Sequence, residues 1–175
     1  AQFPAVFSRP ENGFDVVIGN PPWERMKLQE REFFSLGAPE IASAVSAADR
    51  RKLIAQVEKK NPGLWQRYQE AKTAAERVLD CVRSCGEYPL TGRGDVNTYM
   101  LFAELARKIV APTGRVGLLV PSGIATDDTT KHFFTDLMES QTLVALYDFE
   151  NRKMIFPDVD GRFKFSMLLM GGAKV

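Results

Sequence analysis

The chain has 175 residues, 45% apolar and 26% charged, with 23 Lys+Arg against 22 Asp+Glu. A chain this long buries roughly 70% of its unfolded surface without disulfides or metals, and near-zero net charge with this apolar fraction excludes disorder. A formal charge of +1 argues against a free-standing, charge-driven nucleic-acid binder, and no apolar run reaches the roughly 20 residues of a membrane span.

Two cysteines, Cys81 and Cys85, and no charged-then-apolar leader lead to the expectation of a cytoplasmic protein. The chain opens on Ala1 with a strand close behind, so a piece of something longer is expected. Phe14 to Gly19 is a short apolar run between Asn12-Gly13 and Asn20-Pro21-Pro22, which predicts a fully buried strand. Pro21-Pro22 cannot continue a ladder, so the strand stops at Asn20.

No strand signal follows between residues 24 and 93. Ile41, Val45, Leu53, Ile54 and Val57 belong to one upstream helix, which Asn61-Pro62-Gly63 breaks. Leu64, Tyr68, Ala71, Ala75, Val78, Val82 and Cys85 then advance by four and three, a narrow helical seam. The expectation is a helical hairpin inserted over 24–93. Arg50-Arg51-Lys52 and Lys59-Lys60 lie on its solvated faces or against a DNA backbone.

Downstream, Tyr99, Phe102, Leu105, Ala106 and Ile109 recur at helical spacing, with Asp95 or Asn97 as cap and Pro112-Thr113-Gly114 as stop. A strand over 115–120 comes next. Thr126-Asp127-Asp128 then opens a helix whose apolar face is Phe133, Phe134, Leu137 and Met138. Strands over 143–149 and 163–170 complete an open α/β sheet, and the lack of a helix between these two predicts an antiparallel last strand.

The segment that carries chemistry is Asn20-Pro21-Pro22-Trp23, placed where a buried strand ends. Ligands of open α/β sheets bind beyond the carboxyl ends of the strands. Two prolines fix the backbone there, and Asn20 and the Pro21 carbonyl are both acceptors beside a flat indole. That set suits a planar ligand bearing an –NH₂ group. An exocyclic aromatic amine is a poor nucleophile because its lone pair is delocalised. Accepting both N–H bonds favours pyramidalisation and frees the lone pair to attack an electrophilic methyl group. The charge developing on nitrogen strengthens those bonds, to roughly 1.5–3 kcal/mol each.

Asn20-Pro21-Pro22-Trp23 resembles the catalytic motif of the amino-methylating DNA methyltransferases. Asn97-Thr98-Tyr99-Met100-Leu101-Phe102-Ala103-Glu104 is similar to that family's Asn-x-Tyr-x-x-Phe-x-Glu helix, Val120-Pro121-Ser122 to its next strand and proline turn, and Ile155-Phe156-Pro157 to its aromatic-proline segment. The resemblance covers 14–172 apart from the insert and is to the catalytic half of a gamma-class adenine-specific enzyme of restriction–modification systems. It implies a partial Rossmann-like sheet of about four strands and S-adenosylmethionine as methyl donor. It further implies double-stranded DNA with an extruded adenine as partner.

Site roles follow from the same resemblance. Asn20 and Pro21 hold the amine, Trp23 stacks on the base, and Phe156 touches it from the other side. Phe102 and Pro22 wall the cofactor beside Asn20. The family's Gly-containing cofactor turn precedes the catalytic motif, and only 13 residues precede Phe14 here. Gly92-Arg93-Gly94 follows no strand and does not replace it. The expectation is a catalytic-half piece, residues 1–175, that binds the cofactor weakly or not at all, is inactive alone, and self-associates through an exposed sheet edge.

Other readings remain open at this point: methylation of an RNA base or a protein glutamine amide, or a degenerate methyltransferase-like domain kept for DNA binding. No metal is expected. Cys81 and Cys85 have no second pair, His132 is distant, and Asp148 reads as a solvated strand-end carboxylate. Residues 157–162 lack the partner residues of a nuclease motif.

Overall fold

The computed structural model describes residues 3–153, 155–157 and 159–173. Asp158, within the 157–162 turn, lies outside them. The chain divides into two compact units, residues 25–85 and the remainder.

The larger unit begins with a single helical turn, α1 (Pro4–Phe7), and the strand β1 (Phe14–Gly19). After the second unit come α6 (Thr98–Ile109) and β2 (Val110–Pro121). They are followed by α7 (Gly123–Thr126), α8 (Lys131–Glu139), β3 (Leu143–Glu150) and β4 (Lys164–Gly171). The four strands form one mixed sheet in the order β1-β2-β4-β3: β1 and β2 are parallel, and β4 runs antiparallel to both of its neighbours. The antiparallel last strand agrees with the sequence. It lies between β2 and β3 and pairs with both.

β1, β2 and β3 share one direction and step one way across the sheet. Right-handed crossovers therefore put the intervening helices on a single face. Tyr99, Met100, Ala103 and Ala106 of α6 and Phe133 and Leu137 of α8 accordingly pack with Val116, Leu118, Val120, Leu168 and Met170 in one core. The opposite sheet face keeps Val16, Ile18, Met167 and Tyr147 exposed.

This overturns one reading. β1 is an edge strand with Val16 64% and Ile18 83% exposed, not a fully buried one. A continuous apolar run specifies extended structure and leaves open how many neighbours cover it. The face of α6 also differs. Met100 and Ala103 are buried while Phe102 and Leu105 stay partly exposed, because Phe102, Leu105 and Ile109 turn toward a cavity described below. Asn97 is the cap, its side chain accepting the Tyr99 N–H at 3.3 Å. Pro112-Thr113-Gly114 does not stop the chain; the helix ends at Ile109 and β2 begins at once. In α8, Met138 is exposed.

Two glycines let β1 lie against β2. Gly13 has φ +126°, and a Cβ there would stand 2.6 Å from Ala111 N; one on Gly114 would stand 2.7 Å from the Phe14 carbonyl oxygen. The close approach excludes any side chain. Arg9 closes the preceding loop with paired hydrogen bonds to Asp15, and this holds the Asp15 carboxyl below the usual carboxylate range. In α6, the buried Glu104 accepts the Leu90 N–H and both the N–H and hydroxyl of Thr91, which fastens the incoming loop to the helix.

The second unit holds α2 (Glu30–Phe34), α3 (Pro39–Ala42), α4 (Ala47–Lys60) and α5 (Pro62–Ser84). All four helices lie within 25–85, inside the stretch 24–93 that the sequence reads as helical. Its upstream helix is divided: Ile41 lies on α3, Val45 is 95% exposed, and Ser46 caps α4 by accepting the Asp49 N–H at 3.0 Å. Asn61 makes the break, its side chain accepting the Leu64 N–H at 3.1 Å with Pro62 at the first helical position. The unit's core joins Phe34, Ile41, Ile54, Val57, Leu64 and Tyr68. The expected seam holds at Leu64 and Tyr68, then passes to Leu79; Val78 and Cys85 are exposed. A straight helix drifts off a 3.5-residue repeat by about 20° per heptad, and α5 follows the drift. The Tyr68 hydroxyl donates to Glu30, which Arg50 also pairs, and burial with the Glu30 charge pushes the phenol up to about 12.

Candidate active site

Beyond Gly19 the chain leaves the sheet as the Asn20-Pro21-Pro22 ridge. Thr98, the first residue of α6, fastens this ridge: its hydroxyl donates to the Pro22 carbonyl at 2.6 Å and accepts the Glu24 N–H at 3.0 Å. Its own N–H donates to the Glu24 carbonyl at 2.9 Å. Pro21 is buried, while Asn20 and Pro22 are exposed. Among the described residues the Asn20 side chain has no hydrogen-bond partner.

The ridge separates two cavities. The first, about 310 Å³, is lined by Asn20, Pro21, Pro22 and Trp23 together with Leu119, Phe156, Val159 and Phe165. The second, about 350 Å³, adds Ile18, Phe102, Leu105 and Ile109 to the same three ridge residues. All six residues singled out from the sequence therefore meet here: Trp23 and Phe156 on one side, Phe102 on the other, and Asn20, Pro21 and Pro22 between. Both volumes reach the lower end of the range typical of small-molecule sites, roughly 300–1,000 Å³. A third cavity, about 180 Å³, lies in the helical unit between Leu28, Tyr68 and Leu79, with Lys27, Glu30, Lys72 and Glu76 also in its lining.

Trp23 is half-buried and held at two points. Its Nε1–H donates to the Leu119 carbonyl at 3.3 Å, and its ring stacks on Phe163 with centroids 5.6 Å apart and planes 11° apart. A spacing of 5.6 Å leaves no room for a further ring between the two, so a planar ligand has to meet the indole from the cavity side. Phe156, 37% exposed, stands edge-on to Phe165 with centroids 5.4 Å apart.

Both cavities have Asn20 as their one amide and no carboxylate in their lining; the first is walled by the aromatic rings of Trp23, Phe156 and Phe165, the second mostly by aliphatic residues with Phe102. Phe102 and Pro22 fit a flat ring there, as an adenine moiety requires, but nothing in the lining fits the sugar or the charged end of a nucleoside cofactor. Tyr99 lies buried behind the ridge's fastening point. Burial, with the Asp127 charge adding to it, pushes its phenol up to about 12, so it is a neutral packing group.

Three residues escaped the sequence reading: Thr98, Phe163 and Asn151. Thr98 lies inside the motif helix, but its partners are 74 and 76 residues away. Asp148 is exposed and accepts the hydroxyl of the buried Ser166. Cys81 and Cys85 are exposed thiols, and no cluster of metal-ligating side chains occurs among the described residues. Nor, among them, is any helix long and apolar enough to cross a membrane. No protein-family model matches this chain, and no curated protein sequence does.

Proposed function

We propose that this chain supplies the acceptor side of an S-adenosylmethionine-dependent methyltransferase that modifies the exocyclic amine of adenine in DNA, within a restriction–modification system. One observation carries the reading. The Asn20 amide, without a hydrogen-bond partner among the described residues, stands on a ridge with an aromatic cavity on one side and an apolar cavity on the other.

In this reading the extruded base enters the first cavity along Trp23, with Phe156 on its far side. A stacking platform worth roughly 1–3 kcal/mol offsets part of the extrusion cost of a few kcal/mol. The Asn20 oxygen and the Pro21 carbonyl accept the two amine hydrogens, and the nitrogen lone pair turns toward the second cavity. S-adenosylmethionine, when bound, supplies the electrophilic methyl group. As the N–C bond formed, the donor's sulfur–methyl bond would break to leave a neutral thioether; positive charge would grow on nitrogen and tighten both hydrogen bonds, and one proton would then leave the nitrogen for water. Thr98 keeps the Pro22 carbonyl occupied, so the backbone it fixes does not rotate. Phe102 and Pro22 would flank the donor's adenine, and groups beyond this lining would have to bind the rest of it.

An aromatic slot favours a flat base over a glutamine amide, and an unengaged Asn20 argues against a decayed site. The deciding experiment incubates the full-length protein with labelled S-adenosylmethionine and duplex DNA, RNA or protein side by side. Label is expected in adenine of DNA. Asn20→Ala is expected to lower kcat by about 100-fold, in line with removing one preorganised transition-state partner. Label found only in protein, or full activity in Asn20→Ala, would overturn the reading.

A further inference from the structure

Asn151 is a completely buried polar side chain at the exit of β3, and the mechanism above does not use it. Its carboxamide is spent on the loop that follows. Nδ2 donates to the Phe156 carbonyl at 2.9 Å and to the Val159 carbonyl at 2.7 Å, while Oδ1 accepts the Phe156 N–H at 3.0 Å. Its own backbone N–H donates to the Phe163 carbonyl at 3.0 Å. One residue thus ties down both ends of the loop between β3 and β4.

The tied positions are those the first cavity depends on. Phe156 and Val159 form its outer wall, and the Phe163 ring lies against the indole of Trp23. Beyond the single 3-10 turn Asn151–Lys153, the described residues of this loop form no helix or strand, and a buried amide that satisfies three of its backbone groups is a strong constraint on its shape. We infer that the Asn151 carboxamide is the positioning group of the acceptor cavity: through Phe156 and Val159 it sets the distance between that wall and the Trp23 plate. The cavity would admit a planar, amine-bearing heteroaromatic base because this spacing is fixed before the base arrives. The inference rests on the reading above for the identity of the ligand, and on the hydrogen bonds alone for the positioning.

The chain's two tryptophans separate the tests, since Trp23 lies at the cavity and Trp65 in the helical unit. In a Trp65→Phe background the emission reports Trp23 only. Asn151→Leu, near in size but without hydrogen bonds, is expected to raise acrylamide quenching of Trp23 at least twofold, as Phe163→Leu should. In a Trp23→Phe background the emission of Trp65 stays unchanged, which shows that the helical unit is intact. Should Asn151→Leu not fold, Asn151→Asp keeps the oxygen that faces the Phe156 N–H, loses both donors, and is expected to move Trp23 in the same direction. Unaltered Trp23 quenching in a folded variant overturns the positioning role.

Adenosine is the second probe. It is expected to quench Trp23 in the parent chain with an affinity that falls at least tenfold in Asn151→Leu; equal affinity in both would also overturn the inference. Absence of adenosine quenching in the parent chain, together with a Trp23 response to Asn151→Leu, upholds the positioning of the wall and counts instead against the amine-acceptor reading.

Discussion

The two cavities beside the Asn20–Pro22 ridge are built in different ways. The first, walled by Trp23 and Phe156, is fixed by directed contacts: Trp23 to the Leu119 carbonyl, the indole to Phe163, and the Phe156 segment to Asn151. The other is bounded by apolar residues, among them Leu105 at 37% exposure and Phe102 at 46%, beside a strand with one neighbour. Hydrogen bonds fix angle as well as distance, whereas apolar contact fixes little beyond proximity. The first cavity is therefore shaped to orient what enters it. The second offers area without orientation, which is what a flat, apolar part of a larger ligand needs.

The largest effect should come from the frame both cavities share. Gly13 combines a positive φ with backbone atoms of Ile109, Val110 and Ala111 all within 2.8 Å of a would-be Cβ. Gly13→Ala is expected to destabilise the chain by about 3 kcal/mol, read from urea melts, through strain plus forced separation of β1 from β2. A loss below about 0.5 kcal/mol would mean that the β1–β2 approach is looser than the geometry describes, and with it the floor of both cavities.

A pair of substitutions sharpens the contrast directly. In the full-length protein, Trp23→Ala is expected to raise the KM for DNA by about 10- to 100-fold while leaving the KM for S-adenosylmethionine within about twofold. Phe102→Ala should do the reverse and more weakly, by about five- to tenfold, since a half-exposed ring has less area to lose. Equal effects on both substrates from either change would erase the division of labour between the cavities.

How much of this was legible beforehand follows the same division. The ridge was readable because Asn20-Pro21-Pro22-Trp23 is contiguous, and its prolines constrain local backbone whatever surrounds them. The antiparallel fourth strand was readable from the missing helix before it. Burial was not: Phe14 to Gly19 has the composition of a central strand and lies at an edge, because neighbours are supplied by distant sequence. Phe102 and Leu105 have core spacing and face a cavity instead, since the sheet takes up Met100 and Ala103. Asn151 gave no signal at all. An asparagine after a strand reads as an ordinary turn former, and its importance rests on partners five and eight residues on, brought back by a loop whose path no local rule predicts.

The smallest effect on stability tests the open side. Ile18 is almost fully exposed on an edge strand, so Ile18→Lys removes little buried area and should change stability by no more than about 0.5 kcal/mol. Its consequence for association should be disproportionate. An edge with free backbone donors and acceptors and apolar side chains is a template for another strand, and a lysine there makes close pairing of two copies costly. In sedimentation velocity the parent chain is expected to self-associate with rising concentration, and Ile18→Lys to remain monomeric with an unchanged melt. A parent chain that stays monomeric at high concentration would show that the β1 edge is protected despite its exposure. The asymmetry between the two cavities would then reflect how their linings are held, with no contribution from an unsatisfied edge.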